Sequence, residues 1–351
     1  SSSVSYISVQ NVPAGTTITS TTYWTPLLGT APSTDPGTPP TTEPDTSDSD
    51  LGNLTPPEDN TTLGGIGQVS IDDPDYSLPT NIGTRIVNIS TRGKIVGSEN
   101  IDALVGGFVV RGTPGSTIKL IIRGLGPYMS YAIDSSLLLS DPYIEVYNNQ
   151  GVIIARNDNW KEQFTTDDPD PLTTLNNGAY AGFTTAFAGV GLDDKEAGLL
   201  LELPIGSDGM GVFSVYLKGI SGQTGIGQIA IDDPEYSENG TTNRIVNIST
   251  RGFVGTGNDE DLIGGFVLRG SPNASKNFII RGLGPYMSYA IESNLLVPNP
   301  FMEVYDSLNQ IIARNDNWKV QYSENDPNPA TSLNNGSYGG FTSSFAGVGL
   351  D

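Results

Sequence analysis

The sequence predicts an all-β chain: two tandem β-sandwich (jelly-roll-like) domains, the second lacking its last strands, preceded by an extended N-terminal arm. Three observations predict it. The 351 residues include 43 Gly and 24 Pro, and only 16 % are charged, so the Ala/Glu/Lys/Leu richness of a helical bundle is missing. Short apolar runs alternate with turn formers. Long words of the sequence occur twice.

The N-terminal arm comes first, at 1–30. Its pieces VSYISV (4–9) and GTTITSTTYWT (15–25) are β-branched and aromatic, and read as short strands. A Pro/Thr/Asp-rich linker follows at 31–64. Residues 31–62 hold seven acids and no base, a composition expected to run extended with polyproline II character.

The repeat occupies the rest. GIGQVSIDDPDYS (65–77) returns as GIGQIAIDDPEYS (225–237), and RIVNISTRG (85–93) returns at 244–252. GGFVVRG (106–112) returns as GGFVLRG (264–270), IIRGLGPYMSYAI (121–133) at 279–291, IIARNDNWK (153–161) at 311–319, and FAGVGLD (187–193) at 345–351. An offset near 160 is a domain-sized period, well above the roughly 20–50 residues of solenoid repeats. The first repeat is placed at 65–237 and the second at 238–351.

Asp351 aligns with Asp193, so the second copy has no counterpart of 194–237 within the sequence. One of the missing strands, GIGQ…IDDP, stands instead at 65–77, ahead of the first copy. That segment is therefore a candidate donor strand.

Within one unit, strands are expected at 104–111, 117–123, 143–148, 152–156, 199–203 and 212–218. YIEVY and FSVYL alternate with the period of two that marks a half-buried strand. Turns are expected at Gly112–Gly115 and Asn148–Gly151. The one helical candidate is PYMSYAI (127–133), a turn or two with Pro127 at its first position. RGLGP (123–127, 281–285) lacks the GK[ST] ending and long helix of a phosphate loop, and reads as a tight turn.

Cys and His are both absent. That removes Cys and His nucleophiles, His bases, Ser-His-Asp triads, ordinary zinc sites and disulfides. The net charge of −22 makes nucleic acid and anionic membranes poor partners. No apolar run is long enough for a spanning helix. The opening Ser1-Ser2-Ser3, with neither Met nor a basic leader, is expected of a mature secreted chain.

DPYIEVYNNQGVIIARNDNW (141–160) and NPFMEVYDSLNQIIARNDNW (299–318) carry the most specific pattern. They resemble the bacterial pre-peptidase C-terminal domain, and LLLELP…VFSVYLKG resembles that family's closing strands. The resemblance covers 80–237 and 239–351. It implies a secreted β-sandwich module with an accessory or structural task rather than a catalytic one. Asn299 in place of Asp141, and Asn309 in place of Gly151, weaken any metal site inherited in the second copy.

Candidate metal ligands are Asp72 and Asp73, their repeats Asp232 and Asp233, and Asp158 with its repeat Asp316. Carboxylates this close, with neighbouring Asn oxygens, suit structural calcium, which takes six to eight oxygens. The competing reading is that they shape turns through their own backbone. Arg92, Arg123 and Arg156 recur as Arg251, Arg281 and Arg314, and internal Arg–Asp pairs are expected of them. Trp160 and Trp318 read as loop anchors, with a sugar platform as the alternative.

No pair of acids stands out for glycosidase-type chemistry, and no enzyme is expected. The preferred reading is an extracellular or cell-surface structural protein, a subunit of a self-assembling filament joined head to tail by strand donation between copies of itself. The alternative is a cell-surface carbohydrate-binding or adhesion module, or an accessory domain of a larger secreted protein, with polysaccharide or cell surface as partner.

Overall fold

The computed structural model describes residues 2–11, 64–74, 83–161, 192–236, 242–257 and 259–315. These residues form an all-β fold with fifteen strands. In chain order the strands are β1 (Ser2–Asn11), β2 (Gly65–Asp72), β3 (Arg85–Ile95), β4 (Leu104–Arg111), β5 (Thr117–Leu125), β6 (Pro142–Asn148), β7 (Ile153–Asn157) and β8 (Ala197–Pro204). There follow β9 (Met210–Gly219), β10 (Gly225–Asp232), β11 (Arg244–Val254), β12 (Leu262–Arg269), β13 (Ile279–Leu283), β14 (Pro300–Tyr305) and β15 (Ile311–Asn315). The strands expected at 4–9, 104–111, 117–123, 143–148, 152–156, 199–203 and 212–218 appear, within two residues at either end. Segment 15–25 lies outside the described residues.

The expected helical turn is a 3-10 helix at Pro127–Tyr131, repeated at Pro285–Tyr289, with Pro opening each. Pro fixes φ and lacks the N–H that a first turn leaves unpaired anyway. The preceding glycines match in backbone angle: Gly126 at φ −141°, ψ −84° and Gly284 at φ −134°, ψ −87°. Identical words thus take the same local conformation.

The β6–β7 hairpin shows how the copies diverge without changing shape. Gly151 turns at φ 72°, and Asn309, which replaces it, turns at φ 61°. Asn is among the few side chains that tolerate this left-handed region. The side-chain oxygen of Asn148 accepts from Gln150 and Val152, and that of Asp306 accepts from Leu308 and Gln310. The substitution at 309 therefore keeps a turn.

Neighbouring strands form two antiparallel series. One runs β7-β6-β9-β4-β11-β2-β13. The other runs β15-β14-β1-β12-β3-β10-β5-β8. Parallel bridges Ile86–Ile245 and Lys94–Phe253 join them. Each series therefore passes from one repeat into the other. The long strand β3 pairs with β12 of the second repeat, and β11 pairs with β4 of the first.

The two copies exchange places about a pseudo-twofold axis, and its marks are residues that meet their own repeats. Thr91 and Thr250 share a buried hydrogen bond of 2.8 Å. A Cβ on Gly93 would lie 2.9 Å from Leu104 Cδ1 and 3.1 Å from Leu262 Cδ1, and one on Gly252 3.0 Å from each. The glycine of each Thr-Arg-Gly thus lets two leucines close over the centre. One apolar cluster spans both copies, from Leu120, Ile144 and Leu201 to Val69, Phe266 and Val304. Burial of this size is the main favourable term in the fold.

Candidate functional site

Two strand positions of the second repeat are filled by strands from the chain's own N-terminal region. In the first repeat β9 lies between β4 and β6, with Leu217 opposite Leu104 and Ile144. In the second repeat β1 lies between β12 and β14, with Val9 opposite Leu262 and Met302. Likewise β10 lies between β3 and β5, and β2 between β11 and β13 in the same register. The donor segment marked by the sequence at 65–77 forms a strand over Gly65–Asp72; its last residues, 75–77, fall outside the described residues.

The seating of β2 copies that of β10 in detail. Leu139 N–H donates to the Ile226 carbonyl at 2.9 Å, and Val297 N–H to the Ile66 carbonyl at 3.1 Å. Gly65 presses on the Leu296–Val297 backbone as Gly225 presses on Leu138–Leu139, where any Cβ would come within 2.7 Å of main chain.

The acids read as candidate metal ligands fasten these strands. Asp72 accepts from Asn247 Nδ2 on β11 at 2.5 Å and from Arg281 on β13 at 2.5 Å, and Ser70 Oγ donates to it at 3.0 Å. Asp232 accepts from Asn88 Nδ2 on β3 at 2.6 Å and pairs with Arg123 on β5. One carboxylate thus ties three strands in each copy, and charge-assisted bonds of this kind are the strong ones.

Asp73 pairs with Lys276 at 2.8 Å, both side chains almost fully buried, and its charge opposes the burial that lowers the pKa of Arg244. Asp233 faces Arg85 in the same way. Burial raises its pKa, against the Arg85 charge and the N–H of Glu235. Asp158 sits apart, and its charge adds to the burial that raises Asp141. Asp316 lies outside the described residues. Among the described residues no three Asp or Glu side chains gather as a metal-holding group.

The arginine pairs expected from sequence are present for Arg123 with Asp232 and Arg281 with Asp72. Arg251 instead donates to the Asn100 carbonyl at 3.2 Å and stacks near the Tyr216 ring. Trp160 is 5 % exposed, packs with Leu125, Leu200 and Ala230, and donates Nε1–H to the Asp193 carbonyl at 2.9 Å. It anchors a loop and offers no open platform. Trp318 and Trp24 lie outside the described residues.

Two glutamate sites were not legible as sites. Glu145 accepts from Tyr143, Tyr147 and Lys218 at 2.8, 2.8 and 3.0 Å. Burial pushes its carboxyl up, but these donors outweigh it and the net shift is downward. In the second copy Phe301 replaces Tyr143, and Gln10 stands in the strand position of Lys218. Among the described residues Glu303 accepts from the Tyr305 hydroxyl and faces the Arg314 charge; burial outweighs both, and its pKa is raised. The repeated Glu-Val-Tyr words were the available signal.

Glu196, just before β8, is fully buried. It accepts from the backbone N–H groups of Gly126 at 2.8 Å and Tyr128 at 2.5 Å. Burial pushes its carboxyl up to about 7, against those two donors, with Asp193 adding to the rise. RGLGP is thus a tight turn whose N–H groups cradle the chain's own carboxylate.

The arrangement ties strands together: Asp72 and Asp232 are locked to arginine and asparagine side chains at the edges of one shared apolar core. No helix among the described residues is long and apolar enough to cross a membrane. No family model, no curated protein and no solved structure matches this chain.

Proposed function

We propose that the chain is an extracellular structural subunit that assembles head to tail into a filament by exchanging its N-terminal strands. One observation carries the reading. β1 and β2 fill in the second repeat the places that β9 and β10 fill in the first, yet they reach it across residues 12–63 rather than along the repeat. In this structure both strands come from the same chain. The same seat accepts the same strands from another copy with every native contact kept, which is the physical basis of strand exchange.

The connecting sequence favours it. Residues 31–62, extended as polyproline II, would reach about 100 Å. A heterologous exchange that does not close on itself grows into a fibre. The absence of His and Cys and the engagement of the described acids support a structural task over a catalytic one. The resemblance of the Asp-Pro…Asn-Asp-Asn-Trp words to a secreted accessory module agrees with the extracellular placement.

Negative-stain microscopy of the whole chain and of a chain without residues 1–72 tests the proposal. Fibres are expected from the first and none from the second. Dispersed monomers from both, or fibres from the truncated chain, would overturn it.

A further inference from the structure

The second repeat keeps one seat that β1 and β2 do not fill. In the first repeat β8 pairs along β5, with Leu199 opposite Ile122 and Gly198 opposite Arg123. The equivalent strand β13 pairs with β2 on one side, and no described strand lies along its other edge. The apolar residues beneath tell the same story. Leu120, Ile122, Ile144, Ile154 and Ala155 are buried in the first copy. Their repeats Phe278, Ile280, Met302, Ile312 and Ala313 pack on the core but are only partly buried. Arg123 and Gly124 are buried, whereas Arg281 and Gly282 are half-exposed.

The turn after the strand carries a matching vacancy. Gly284 has the backbone angles of Gly126, yet its N–H and that of Tyr286 meet no acceptor among the described residues, where their repeats hold Glu196. The first copy therefore displays the occupant: a glutamate followed by a strand of the pattern Glu-Ala-Gly-Leu-Leu-Leu-Glu-Leu-Pro.

We infer that the open edge of β13 and the groove beside it accept an extended segment of the 196–204 sequence from another chain built of this repeat. The strand adds antiparallel to β13, its Leu199 opposite Ile280 and its Gly198 opposite Arg281. Its alternate leucines cover Ile280, Met302 and Ile312, and its glutamate takes the N–H groups of Gly284 and Tyr286. Main-chain pairing supplies the affinity of such an added strand, and the side-chain seats supply its register. The inference rests on the reading of this chain as a subunit joined through added strands, but it concerns a different seat.

The test uses the whole chain and a fluorescent synthetic peptide of residues 194–205. The chain is expected to bind the peptide one to one, with amide exchange slowed at 279–286 in fragments that include Phe278. Fragments that include Leu120 should not change. A peptide with Ala in place of Glu196 should bind about tenfold more weakly or worse. Absence of binding, binding indifferent to the glutamate, or β13 amides already as protected as those of β5 in the chain alone would each overturn the inference. The measurement needs no fibres, so peptide binding without fibres contradicts the filament reading alone, and fibres without peptide binding contradict this one alone.

Discussion

Thr91 Oγ1 lies 2.8 Å from Thr250 Oγ1, and the two residues are repeats of each other. Both are fully buried. A contact between equivalent residues is what a twofold relation requires on its axis. The pairing of β3 with β12 and of β11 with β4 on either side of it shows that the duplicated segments interlock.

Replacing one threonine leaves the other hydroxyl buried without its partner. Thr91→Val is therefore expected to cost about 1–3 kcal/mol. Thr91→Val with Thr250→Val should cost less than the two single changes added together, since neither hydroxyl is then stranded. Urea unfolding of the three variants measures the coupling. Additive losses would show that the hydroxyls do not depend on each other.

Asp72 is tied to two strands across β2, so Asp72→Ala should loosen the N-terminal strand from the second repeat. A loss of about 1.5–3 kcal/mol is expected from its charge-assisted bonds. Amide exchange should speed up in β2, β11 and β13 while β10 stays protected. Asp232→Ala should do the reverse. Uniform exchange changes in both copies would contradict the local role of the two acids.

The same engagement bears on calcium. Asp72 and Asp232 already hold arginine and asparagine donors, so excess EDTA should leave the melting temperature unchanged. A rise in melting temperature with added calcium, reversed by EDTA, would show that these or other acids bind the ion.

Glu196 sets a pH dependence. Its folded carboxyl is pushed up to about 7 by burial, from an ordinary value of 4.5. The folded chain thus holds a proton that the unfolded chain releases between those values. Its contribution is full below about pH 4.5 and fades as pH rises toward 7, by about 3.5 kcal/mol at about 1.4 kcal/mol per unit. Glu303 and Asp233 act in the same direction, so the useful quantity is the difference from Glu196→Gln. That difference should fall between pH 5 and 7.5 in urea titrations. A difference independent of pH would refute the assignment.

Much of this was legible in the residues. Alternation and turn formers located the strands, and the doubled GIGQ…IDDP word marked 65–77 as a spare strand, of which 65–72 form it. The seat of β1 was not marked by identity: VSYISV shares with VFSVYL only the alternation that any half-buried strand has. The interlock was hidden for a different reason. β3 and β11 both carry RIVNISTRG, so β4 meets the same nine residues whether it pairs within its repeat or across it. Long-range geometry makes that choice. That Arg123 and Arg281 pair with aspartates was legible, but which aspartates, and the part of Asn88, was not, because Asn88, Arg123 and Asp232 are brought together only by the sheet. Glu196 has no counterpart within the 351 residues to flag it.

In the proposed filament, β1 and β2 of one copy seat in the second repeat of another. The chain has no cysteine, so an engineered pair reports without interference. Ser8 stands directly opposite Ile263 in the β1–β12 ladder. The variant with Ser8→Cys and Ile263→Cys, assembled and then oxidised, should run on a non-reducing denaturing gel as a ladder of covalent multimers that reducing agent collapses to the single chain. A crosslink confined to single chains, formed to completion in assembled material, would contradict the claim.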